Sequence, residues 1–78
     1  METSLLKVFV AVANKKSISL AAVELNFTQS NATNRIKQLE KSLGYFLFHR
    51  VPSGVILTKE GEKLYPMAVE IIKKVEIA

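Results

Sequence analysis

Cysteine is absent and histidine occurs once, as His49. Those two scarcities exclude a disulfide framework and a thiolate metal site, and they leave little scope for zinc. Neither a metal nor any other cofactor is expected. No apolar stretch approaches the ~20 residues that cross a bilayer; the run Val8–Ala13 is closed off by Lys7 and Asn14, so no membrane association is expected. The start Met1-Glu2-Thr3-Ser4 has no basic n-region of the kind a signal peptide carries, which makes a cytoplasmic location the default expectation. Glu24 and Glu40 have no second carboxylate at useful spacing, so no general acid–base pair is visible and nothing points to an enzyme. There is no internal repeat and no low-complexity segment.

What is present fits one small domain. The chain has 78 residues, 49% of them apolar and 23% charged, a globular rather than a disordered balance. A domain of that size buries only ~60–65% of the surface its unfolded chain exposes. So high an apolar share in so short a chain leads us to expect that some of it meets a second copy. The net charge is +4, and its distribution says more than its size. Between residues 15 and 50 stand Lys15, Lys16, Arg35, Lys37, Lys41 and Arg50 against only Glu24 and Glu40, while the flanking segments balance. A basic surface in the middle of the chain suits a polyanion, although a solvated charged face would look the same.

The periodicity reads as mainly α. Thr3 or Ser4 can cap a first helix to about Asn14, with Leu5, Phe9 and Ala13 on one stripe and Leu6, Val8, Val10 and Val12 on its other faces. Such a helix is either the centre of the core or one that also meets a partner, and both readings stand. Ser19 or Ser17 then caps a short helix to about Leu25; with Ser19 as the cap, Ile18 and Val23 would form a hydrophobic staple. Thr28 caps a third helix from Gln29 to about Leu43, with Gly44 at its end. Ala32, Ile36, Leu39 and Leu43 form its apolar stripe. Only Asn26–Thr28 separate helices two and three, the connection length of a helix-turn-helix.

The apolar run Tyr45–Phe48 and then His49–Val51 lead into Pro52-Ser53-Gly54, followed by Val55–Leu57, which predicts two short strands around a turn. Thr58 caps a last helix whose stripe is Leu64, Ala68, Ile71 and Val75, with Tyr65, Val69 and Ile72 in a flanking row. Pro66 falls inside it and predicts a bend near Glu62–Pro66. The chain ends at Ala78 without Gly, Asn or Pro, so we expect a helix cut short and further protein downstream.

Three helices, a two-stranded wing and a further helix make a winged helix-turn-helix. Residues 1–58 would be the winged domain and 59–78 the start of a linker or dimerisation helix. On the polar side of the third helix stand Gln29, Ser30, Thr33 and Asn34, short or medium side chains suited to base edges in a major groove. Gln29 and Asn34 can each pair bidentately with adenine. The free amides of the helix start, at the Thr28 cap, suit a phosphate. Arg35, Lys37 and Arg50 offer further phosphate contacts, and Ser53 at the wing tip reaches toward a flanking minor groove. A solvated helix side is the plainer reading of that polar face; the preceding turn, the hairpin and the local charge favour DNA. A protein-interaction module on the same fold is the rival class.

The segments Ser17–Leu25 (SISLAAVEL), Thr28–Thr33 (TQSNAT), Ile36–Glu40 (IKQLE), Leu43–Arg50 (LGYFLFHR) and Leu57–Gly61 (LTKEG) resemble, in order and spacing, the N-terminal domain of LysR-type transcriptional regulators. The resemblance covers nearly the whole chain. It implies sequence-specific binding of double-stranded operator or promoter DNA and regulation of transcription in a bacterium. It places the DNA contacts on Gln29, Ser30, Thr33 and Asn34, with Arg50 and the wing in support. It also implies a homodimer, for which we expect Leu6, Val10, Leu64, Ala68, Ile71 and Val75 at the interface, and a tetramer in a full-length parent. A small-molecule effector would act only through a C-terminal domain that this chain does not contain. Three positions depart from the pattern: Ser30 stands where proline is usual, Thr33 where serine is usual and Asn34 where arginine is frequent. Asn34 gives up a long cation, which should weaken phosphate attraction or shift base preference toward adenine. The wing tip Pro52-Ser53-Gly54 likewise carries no cation.

Overall fold

The caps set the element boundaries. The computed structural model describes residues 3–77, and side chains to residue 76. It contains α1 (Thr3–Lys15), α2 (Ile18–Leu25), α3 (Gln29–Leu43), β1 (Phe48–Val51), β2 (Gly54–Leu57) and α4 (Lys59–Ile77). The Ser17 hydroxyl accepts the Leu20 N–H at 3.1 Å and so caps α2. Ser19 already lies inside the first turn, and the Ile18–Val23 staple does not form: Val23 is 75% exposed. Thr28 accepts the Asn31 N–H at 3.1 Å and starts α3. Asn26 (φ 61°) and Gly44 (φ 85°) end α2 and α3 in the left-handed conformation, where a short polar side chain or none is favoured. Thr3 is already helical in α1, and Ser4 does not act as a cap; its hydroxyl accepts a hydrogen bond from Arg35.

α1 is the centre of the core. It buries Leu5, Leu6, Val8, Phe9, Ala11 and Val12 and packs against α2, α3, α4 and β2. Ala21 and Ala22 of α2 and Ala32, Ile36 and Leu39 of α3 close the core from one side, and Leu64 and Ala68 of α4 close it from another. The Phe9 ring meets that of Phe48 at 5.5 Å between centroids, tilted by 52°, which joins α1 to the wing. Tyr65 of α4 donates a hydrogen bond to the Asn14 side chain at the end of α1.

The wing is an antiparallel pair in which Arg50 faces Val55 and His49 faces Ile56. It begins at Phe48, later than the apolar run suggests, because Leu47 is held between two helices. Leu47 is fully buried; its N–H donates to the Glu40 carboxylate at 2.8 Å, and its carbonyl accepts the Thr58 N–H at 2.9 Å. The far edge of the wing is tied back where the Val55 N–H donates to the Lys16 carbonyl at 3.1 Å. Gly54 (φ 144°) sits at this junction, and a Cβ there would lie 2.1 Å from the same carbonyl.

Thr58 is buried and does two jobs at the start of α4. Its hydroxyl donates to the Phe46 carbonyl at 2.7 Å and accepts the Gly61 N–H at 3.0 Å. The helix then runs unbroken through Pro66. Its first turn lies so close to the α3–β1 connection that a Cβ on Gly61 would be 2.4 Å from the Leu47 carbonyl oxygen. Gly61→Ala is therefore expected to destabilise the domain by about 1–3 kcal/mol, despite alanine's better helix propensity. Urea melts would check this as a lower midpoint at unchanged slope.

The surface expected to pair two copies divides in two. Leu6, Leu64 and Ala68 are 2%, 7% and 0% exposed, inside this chain's own core, and are not available to a second copy. Val10 is half-buried. Ile71 and Val75 are 42% and 51% exposed, and Met67 at 56% joins them one turn back. The α4 stripe reads as continuous in sequence, but only its first half receives cover from α1.

Candidate nucleic-acid interface

The segment between Ala22 and Thr28 sets the attitude of α3. The Phe27 N–H donates to the Ala22 carbonyl at 2.8 Å, closing the turn, and the half-buried Phe27 ring lies beneath the start of α3. With Ala32, Ile36 and Leu39 buried, the helix can present only one side outward, and on it Gln29, Ser30, Asn34 and Lys37 are exposed while Thr33 is half-buried. The Thr28 cap takes one of the free N–H groups at the helix start; those of Gln29 and Ser30 remain at the exposed tip, at the positive end of the helix dipole.

Arg50 on β1 and Ser53 in the wing turn are exposed. Thr33, Lys37 and Arg50 line one cleft between α3 and the wing, about 220 Å³ in volume, so three of the residues singled out from sequence are brought together. Arg35 is not among them. Its guanidinium donates to Asn31 Oδ1 at 2.8 Å and to Ser4 Oγ at 3.0 Å, and stacks 4.8 Å above the Phe27 ring. It ties α3 to α1 and to the turn instead of standing free at the polar face.

Two contributors escaped the sequence reading. Glu40 holds the Leu47 amide and so fixes the wing to α3; no local pattern reveals a bond across seven residues. Phe46 belongs to the apolar run that predicts a strand, yet it precedes β1 and is 75% exposed where it lines the cleft.

An exposed polar helix face thus lies beside a wing that carries Arg50. The pattern described as "Bacterial regulatory helix-turn-helix protein, lysR family" matches residues 3–62. The chain belongs to the LysR family. It is 51% identical over 73 residues to the HTH-type transcriptional regulator YofA of Bacillus velezensis, covering 94% of this chain and 25% of that protein. It is 50% identical over 76 residues to the HTH-type transcriptional regulator CzcR of Bacillus subtilis, covering 97% of this chain and 26% of that one. The chain thus spans about a quarter of the length of these relatives. Among solved structures, the DNA-binding domain of CbnR in complex with DNA superposes with a TM-score of 0.93 at 33% identity, covering 97% of this chain and 87% of that one. The DNA-binding domain of BenM on its catB site 1 DNA gives 0.91 at 34% identity, covering 97% and 82%. The fold is the winged helix-turn-helix of LysR-family DNA-binding domains.

Proposed function

We propose that this LysR-family domain binds double-stranded DNA sequence-specifically, with α3 in the major groove, and that it regulates transcription. The observation that carries the reading is the outward polar face from Gln29 to Lys37, held in place by Ala32, Ile36 and Leu39. In this reading Gln29, Ser30, Thr33 and Asn34 meet base edges, while Thr28, with the open amides of the helix start, meets a phosphate. Lys37, Lys41 and Arg50 neutralise backbone charge, and Ser53 approaches the flanking groove. No cofactor and no catalytic step enter. Such a regulator works where the chromosome is, in the bacterial cytoplasm.

Two copies pair through the exposed stripe Met67, Ile71 and Val75 of α4, with Val10 beside it. A two-fold pair presents two copies of α3 to half-sites about one helical turn, or a multiple of it, apart. In a longer parent, assembly to a tetramer and control by a small molecule would come from the remainder of the protein.

Selection from a pool of random duplexes tests the reading. The expected outcome is enrichment of one short sequence with two related halves. Equal recovery of all sequences, or no recovery, would leave the protein-interaction class as the better account of the fold.

A further inference from the structure

Phe46 is held in water by a backbone that is firmly placed. Its carbonyl accepts the Thr58 hydroxyl at 2.7 Å, and the next residue, Leu47, is fully buried. The ring itself is 75% exposed. It lines the 220 Å³ cleft between α3 and the wing together with Ile36, Phe48, Lys37 and Arg50. Glu40 is the one carboxylate in that lining, and it is engaged by the Leu47 N–H. Phe46 also borders a wider, open groove lined by Lys37, Glu40, Lys41, Gly44 and Tyr45. The exposed aromatic residue thus shares two adjoining grooves with Lys37, Lys41 and Arg50 against a single carboxylate in their linings, Glu40.

A DNA strand has the complementary pattern, with anionic phosphates alternating with the largely apolar faces of deoxyribose rings. We propose that the cleft between α3 and the wing seats one strand by its sugar–phosphate backbone, with Phe46 packed on a deoxyribose between phosphates held by Lys37 and Arg50. The inference rests on the DNA-binding reading and adds to it an uncharged anchor. Such an anchor has two signatures. Every nucleotide carries the same sugar, so the contact strengthens binding to all sequences alike. It carries no charge, so it leaves counterion release unchanged. The surplus of cations around the ring favours this occupant over an apolar peptide or a second copy of the chain.

The test measures binding of the 78-residue chain and its variants to a random duplex and to a selected duplex at several salt concentrations. Phe46→Ala should weaken both complexes by about fivefold, with the slope of log affinity against log salt unaltered. Phe46→Leu, which keeps an apolar side chain, should stay within about twofold of the parent. Lys37→Ala should instead make the slope shallower by ~0.9 per bound chain. Full affinity in Phe46→Ala, a loss on only one duplex, or a loss with a shallower slope would overturn the proposal. So would a Phe46→Ala chain that unfolds, since the ring would then belong to the fold. Failure of the parent reading looks different: the unaltered chain would bind neither duplex.

Discussion

Raising the salt from about 50 to about 200 mM is expected to weaken duplex binding about fortyfold for a single chain and about two thousandfold for a cooperating pair. The figures follow from counting cations that are free to neutralise phosphate. Lys37, Lys41 and Arg50 are exposed along α3 and the wing. Arg35 lies on α3 too, but its guanidinium is committed to Asn31, Ser4 and the Phe27 ring. Three phosphates per chain give a slope of about −2.7, and two chains give about −5.4. The slope therefore reports how many copies bind together, and a fluorescence titration across the salt range would read it. A slope near zero would mean that the basic middle of the chain is only a solvated face. Arg50→Ala should reduce the slope by ~0.9 per chain and weaken random and selected duplexes alike, because a phosphate contact carries no sequence information.

The element order, the caps at Thr28 and Thr58 and the three-residue turn before α3 could all be read before any coordinates, because each depends on residues close together in the chain. Ala32, Ile36 and Leu39 identified the inner side of α3, and its opposite side followed. What stayed hidden depends on neighbours distant in sequence. Periodicity shows that Leu64, Ala68, Ile71 and Val75 share a face, but not that α1 covers the first two and leaves the last two exposed. The same limit placed Leu6 at a pairing surface when it belongs to the core. Arg35 reads as a free cation until Ser4, 31 residues earlier, is found beside it. Ser17 and Ser19 are equally good caps on paper; what separates them is that only Ser17 has extended backbone (φ −157°, ψ 127°). Phe46 looks like a strand residue because it lies in an apolar run. The anchoring of Leu47 on both its N–H and its carbonyl delays the strand and turns the Phe46 ring outward.

The departures from the family pattern also take on physical meaning. Thr33 keeps a hydroxyl and lines the cleft with Lys37 and Arg50, so a methyl group has been added at a point where α3 and a groove would meet. Asn34 is exposed on the same side and carries no charge. On the proposed reading, affinity in this chain rests more on the cations of the cleft, and selectivity more on amide and hydroxyl contacts, than where arginine occupies position 34.

Gln29 bears most directly on the central claim. It is the first residue of α3, exposed, and free of any role in the core, so truncating it should leave the fold intact. A bidentate amide contact with adenine contributes ~1–3 kcal/mol of discrimination. The ratio of affinities for a selected duplex and a random one is the quantity to measure, in the parent chain and in Gln29→Ala, at one fixed salt concentration. A drop in that ratio of about fivefold or more, with affinity for the random duplex retained, is the predicted result. An unchanged ratio would contradict the placement of α3 in the groove.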